Sequence, residues 1–274
     1  MNHRALFACA VLLWAGCGKQ TFLASAFVQT PALPDPVHPG QTIPGYAVLQ
    51  SYLGTIDTTD PTHLDASKEA PLPGAVATLG WTSLLAKSDV VLAVKDQGDG
   101  RYTLDSKAEP RLTLEQGQRY TLVVLTPDGD AFGASVTPGP PAPIVEFQGS
   151  RIIDRGAGST GQDFTITRGD APGSDGYRPA FVLVGQIDPA NPAAAPTQTY
   201  STVPENAAAI LKYALSDRPY RVPTFALPGA TAFPRAGYYV VALLAAQTGR
   251  VSSNAFIGSI AIAGTGDAGI VYIH

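Results

Sequence analysis

Imidazoles are the side chains best suited to general-base catalysis and to transition-metal binding near neutral pH, so a search for chemistry begins with them. Outside the first 17 residues they are His38 in a proline-rich stretch, His63 in a polar loop beside Asp60 and Asp65, and His274 at the last position. A Ser-His-Asp relay needs one of these held against an activated serine, and no serine stands in the Gly-x-Ser-x-Gly order of a nucleophile elbow. The two cysteines, Cys9 and Cys17, both fall near the N-terminus, which weighs against Cys-His catalysis and cysteine-bound zinc. Carboxylates remain. Asp57, Asp60, Asp65 and Glu69 share one loop, whereas Asp96 with Asp99, and Asp128 with Asp130, flank glycine-containing turns. Calcium takes roughly six to eight oxygens, which makes Asp96, Asp99, Asp128 and Asp130 candidate ligands. Neither turn follows the Asp-x-Asp-x-Asp-Gly order of an EF-hand loop, and Asp at turns ordinarily serves its own backbone.

Two segments spell Gly-x-Gly-x-x-Gly: Gly156, Gly158, Gly161 and Gly264, Gly266, Gly269. A dinucleotide site needs a strand before and a helix after, whereas the residues from Gln162 to Thr167 alternate as a strand and only five residues follow Gly269, so no nucleotide cofactor is expected. Trp81, Tyr46, Tyr52, Tyr177, Tyr200, Tyr213 and Tyr220 are available as a platform for sugar or peptide, although such residues mostly fill cores and strands. No catalytic residue and no cofactor site is assigned.

The elements that would position these residues are short. Charged residues make up 15% of the 274, against roughly 25% in an average soluble protein, while 28 glycines and 24 prolines call for frequent turns and few long helices. A net charge of −4 offers no basic stripe to neutralise phosphates, which disfavours a nucleic-acid partner. Val-, Thr-, Tyr- and Leu-rich runs punctuated by Gly and Asp mark strands at 46–53, 75–79, 89–95, 101–104, 120–126 and 131–137, and again at 163–168, 180–187, 222–227, 238–246 and 259–273. Asp99-Gly100 and Asp128-Gly129 are the dipeptides that accept positive φ at both centres of a type I′ turn, so each should close a hairpin. Thr202-Val203-Pro204-Glu205 has the spacing of a capping box ahead of apolar Ala207, Ile210, Leu211, Ala214 and Leu215, which predicts one helix near 204–215. The segment from Asp188 to Tyr200 reads as a mobile loop.

The N-terminus carries an address. Arg4, the apolar run Ala5 to Trp14 and small Ala15-Gly16 read as an export signal, too short to span a bilayer that needs about 20 apolar residues. Leu13-Trp14-Ala15-Gly16-Cys17 resembles the bacterial lipoprotein signal, which implies acylation of Cys17 as the first mature residue. Trp14 departs from the Leu usual in that family, and Ala24-Ser25-Ala26 offers an ordinary cleavage site as a rival. Gly18 and Lys19 lack the Asp that resembles an inner-membrane retention signal, so the outer membrane is the default destination. With Cys9 in the leader, the mature chain holds one cysteine and no internal disulfide.

Pro71 to Thr78, Gly98-Asp99-Gly100-Arg101-Tyr102 and Gly117 to Leu122 together resemble the prealbumin-like, carboxypeptidase-regulatory class of sandwich, and the first domain of uncharacterised bacterial envelope lipoproteins. Tyr120 after Leu114-Glu115-Gln116-Gly117, and Gly237-Tyr238-Tyr239-Val240 after Leu227-Pro228-Gly229, resemble the tyrosine corner of immunoglobulin-like sandwiches. The expectation is therefore all-β: a signal peptide over 1–16, a lipid-anchored Pro-rich tether over 17–45, a first β-sandwich over 46–137, a Pro-rich linker over 138–143, and a second sandwich with a helix over 144–274. The expected role is a non-catalytic envelope scaffold or binding module for a protein, peptide or glycan, held at the membrane by its lipid. The alternative is an accessory hydrolase or metal-dependent enzyme acting on envelope polymer.

Overall fold

The computed structural model describes residues 19–57, 70–83, 87–174, 176–203, 220–256 and 258–274. Cys17, His63 and the expected helix at 204–215 lie outside them. The chain is all-β, of the sandwich class, with 52% of the described residues in strands. The first half supplies β1 (Lys19–Thr30), β2 (Leu33–Pro34), β3 (Thr42–Ile43), β4 (Tyr46–Asp57), β5 (Ala70–Pro71), β6 (Val76–Thr82), β7 (Asp89–Asp96), β8 (Arg101–Asp105), β9 (Tyr120–Leu125) and β10 (Ala131–Val136). The second supplies β11 (Ile152–Asp154), β12 (Phe164–Thr167), β13 (Ala180–Gln186), β14 (Thr197–Ser201), β15 (Thr224–Leu227), β16 (Gly237–Thr248), β17 (Arg250–Val251) and β18 (Ile260–Ile273), with a short helix α1 (Gly229–Ala232) before β16.

One ladder runs through both halves in the order β14-β13-β16-β18-β1-β4-β8-β7-β6-β9-β10-β17. In the first half it doubles over, so that Leu23, Phe27, Leu49, Leu53 and Leu104 on one layer meet Leu79, Trp81, Leu92, Leu122 and Val124 on the other. Ala261 and Ala263 of β18 belong to this core. In the second half the β13-β16-β18 layer buries one face against Phe147, Ile166, Phe225, Leu227 and Phe233. Its other face is covered by Leu33 and Ile43, from the two-stranded clip β2–β3.

The 17–45 tether needs correction. Lys19–Thr30 is a strand at the centre of the sheet, antiparallel to β4 along its whole length and parallel to β18 from Ala24↔Ile260 to Gln29↔Thr265. Phe22, Leu23, Ala24 and Phe27 are buried, and the Pro-rich stretch that follows contains the clip β2–β3. The apolar pattern is masked in the sequence because β1 is buried on both faces, so its apolar residues do not alternate.

The Pro138–Pro143 segment is held from both sides. Its carbonyls accept bonds from the Gly117 amide (3.0 Å, to Pro138), Thr265 Oγ1 (2.6 Å, to Gly139), Arg178 Nη2 (2.8 Å, to Pro140) and the Gly169 amide (2.6 Å, to Pro143). A proline run has few amides to donate but keeps its carbonyls, and these become the seam between the halves. Just beyond it, the buried Asp267 carboxylate accepts from the Ile144 amide at 2.7 Å and from Arg151 Nη1 at 2.5 Å.

Both tyrosine corners form. Tyr120 Oη donates to the Thr113 carbonyl at 2.8 Å and accepts from the Glu115 amide at 2.7 Å, and Tyr239 Oη donates to the Arg235 carbonyl at 2.9 Å. Burial pushes the Tyr120 phenol up to about 12. The hairpins at Asp99-Gly100 and Asp128-Gly129 also close, but not with type I′ turns. Gly98, Gly100 and Gly129 take positive φ while neither aspartate does, because the loops are longer than two residues and only their glycines enter the left-handed region. The segment from 188 to 200 is shorter as a loop than expected, since Thr197–Ser201 pairs with β13 as an edge strand.

Candidate functional site

A sheet with one face on the core usually turns polar side chains outward. The outer face of β7-β6-β9 does not. Val76, Val91, Val123 and Leu125 stand 65%, 66%, 45% and 47% exposed. The register sets Val76 opposite Leu125, Thr78 between Ala93 and Val123, and Gly80 between Val91 and Thr121. A shallow depression of about 550 Å³, open to solvent, lies over Gly80 and is walled by Thr78, Thr82, Val91, Thr121 and Val123. A Cβ at Gly80 would meet its nearest neighbours at 3.7 and 3.8 Å, so the floor has room.

The charged groups beside it are Asp89, Lys95 and Arg119. Asp89 accepts from Thr82 Oγ1 at 2.7 Å, and Arg119 Nη2 donates to Ser135 Oγ at 3.2 Å. Gln118, 5% exposed, lines the same hollow and donates through Nε2 to the Arg119 carbonyl at 2.8 Å. Such a surface offers apolar contact and hydroxyls. No sequence motif marks this face, because β-branched residues at alternate positions read only as strand formers. The signal that could have found it is the outward phase of β7, where Val91 and Ala93 sit between Asp89 and Lys95.

The residues named from sequence are dispersed. Asp96 accepts from the Gly74 and Gly98 amides at 2.7 and 2.8 Å, and Asp99 from the Arg101 amide at 3.2 Å. The Arg101 guanidinium holds the Asp99 carboxyl below its ordinary value. Asp128 and Asp130 sit at the β9–β10 turn, where Thr126 and Asp130 bond through their backbones at 2.8 Å. Among the described residues, no three or more His, Cys, Asp or Glu side chains converge as a metal-holding group. His38 pairs with Asp35 at 3.0 Å in the clip, and His274 with Asp154 at 2.8 Å at the far end of β18. The Gly156 amide and His274 draw the Asp154 carboxyl below its ordinary value.

Gly264, Gly266 and Gly269 lie inside β18, paired with β16. A Cβ at Gly269 would strike the Phe147 ring at 2.3 Å, so this glycine is a packing requirement. Of the aromatic candidates, Trp81 is 6% exposed and faces the first core, while Tyr46, Tyr52, Tyr177, Tyr200 and Tyr220 are half-buried. Among the described residues no helix is long and apolar enough to cross a membrane.

No protein-family model matches the sequence, and no curated protein matches it. Among solved structures the chain is similar, at 12% identity and a TM-score of 0.24, to the crystal structure of a tetra-tandem repeat in the extending region of a large adhesion protein. The match covers 92% of this chain and 50% of that one, so the chain spans half the length of the structure it resembles.

Proposed function

We propose that this protein is an exported, lipid-anchored envelope protein acting as a non-catalytic scaffold and binding module, its first half a sandwich of the prealbumin-like kind. The observation that carries the reading is the largely apolar, solvent-facing sheet over Gly80, which suits the surface of a partner protein or peptide. Anchoring at Cys17 draws support from β1. Cleavage after Ala26 would remove the buried Phe22 and Leu23 from the middle of the sheet, whereas a mature start at Cys17 leaves the strand whole. On this reading Gly18 alone separates the acylated residue from the folded body, and the outer membrane is the destination.

The test is crosslinking in intact envelope, with a photoreactive side chain at Val91 and a control at exposed Thr231. A partner captured from Val91 and not from Thr231, and lost on Gly80→Leu or Val123→Glu, supports the binding face. Equal labelling from both positions overturns it. Cys17→Ser is expected to move the protein from the membrane to the soluble fraction, and unchanged fractionation removes the anchor.

A further inference from the structure

The first and last strands of the described chain lie side by side and run the same way, from Ala24↔Ile260 to Gln29↔Thr265. Lys19 stands upstream of this ladder at one end of the molecule and Ile273 downstream of it at the other, and at ~3.3 Å per residue the two are roughly 60 Å apart along the strand axis. Tension applied between the ends is therefore directed along β1 and β18. Ladder hydrogen bonds run across the strands, so such tension loads every rung of β1–β18 together, in shear. An antiparallel pair pulled from one end surrenders its rungs singly.

Slippage of either strand is opposed on its other side. β1 is zipped to β4 from Lys19↔Asp57 to Thr30↔Tyr46, and β18 to β16 from Thr248↔Ile262 to Gly237↔Ile273. Two bonds extend the β1 contact beyond the ladder: the Leu23 amide to Ser259 Oγ at 3.1 Å and the Phe256 amide to the Thr21 carbonyl at 2.7 Å. Side chains key the joint as well, since Leu23 and Phe27 share a core with Ala261 and Ala263. The Pro138–Pro143 seam, held at four carbonyls, adds no slack.

We propose that the body is a load-bearing clamp that resists tension between its two ends, with β1–β18 as the shear element. This goes beyond the binding reading and needs neither the anchor nor the partner, because it rests on strand order alone. The test is single-molecule pulling of the full chain in a Cys9→Ser, Cys17→Ser background, compared at one speed in two geometries. Handles at the two termini load β1–β18 in shear. Handles at the N-terminus and at Asp57→Cys peel β1 from β4, and a mirror control with the C-terminus and Ala236→Cys peels β18 from β16. The end-to-end geometry is expected to rupture at about twice the force of either peeling geometry, or more, because its rungs yield together. End-to-end rupture at a force equal to or below that of peeling overturns the proposal.

Discussion

The two halves use the same kind of sheet and dress it differently. In the second half the layer around β16 is covered on both faces, by Phe147, Phe225 and Phe233 on one side and by Leu33 and Ile43 of the clip on the other. In the first half the β7-β6-β9 layer is covered on its inner face only, and its outer face presents Val76, Val91, Val123 and Leu125 to solvent. The clip is what separates the two: it covers one sheet, and the other has no counterpart to it among the described residues. Stability should accordingly concentrate in the doubly covered half and at the strands shared by both, and removing apolar atoms from the bare face should cost little.

The sharpest way to break that comparison is to remove what the halves share. A chain lacking Lys19–Ala26 loses the strand between β4 and β18 with its buried Phe22 and Leu23, and is expected to give no cooperative thermal transition. A native-like melt would show that β1 is dispensable. Next in size, Phe147→Ala empties a fully buried position against Gly269 and is expected to cost about 3–5 kcal/mol, while Val91→Ala on the bare face should stay within about 0.5 kcal/mol. Urea unfolding of both variants measures the contrast, and equal losses would erase it.

Asp267→Ala is expected to cost about 2 kcal/mol, because the Ile144 amide loses its buried acceptor and Arg151 its ion pair, keeping only the Ala268 carbonyl. Denaturation midpoints read this directly. The smallest effect is that of acid. Arg111 holds the exposed Glu109 carboxyl down to about 2, and Asp99 and Asp154 are also held below their ordinary values. These groups ionise more readily folded than unfolded, so their contribution is complete above the usual carboxylate range near pH ~4 and drains as pH falls toward 2. The melting temperature should fall modestly over that window, and the fall should shrink in high salt because the pairs are exposed.

How much of this could be read from residues alone follows from the same contrast. Where one face is buried, the sequence alternates: Asp89–Asp96 exposes and buries in turn, and its strand limits are evident. The corner tyrosines were legible too, since each enters its strand behind a turn whose backbone its hydroxyl can reach. Where both faces are covered, alternation vanishes. Lys19–Thr30 then carries only scattered apolar residues, and its Ala24-Ser25-Ala26 imitates a cleavage site, so a central strand reads as a tether. The clip was hidden for a different reason: its two-residue strands are too short for periodicity, and only the tertiary contact of Leu33 and Ile43 with Ala268 and Ile270 explains them. The bare face was invisible because a valine aimed at solvent and a valine aimed at the core are the same letter.

The neighbouring placement of the first and last strands also governs when folding can finish. The opening segment needs its closing counterpart, and the core of the first half includes Ala261 and Ala263, made about 240 residues after Leu23. A chain delivered N-terminus first must therefore hold its early strands unpaired on one edge until the final stretch emerges. The sheet cannot close before this stretch is made, and a stall anywhere before Ile260 leaves a sticky, open-edged intermediate.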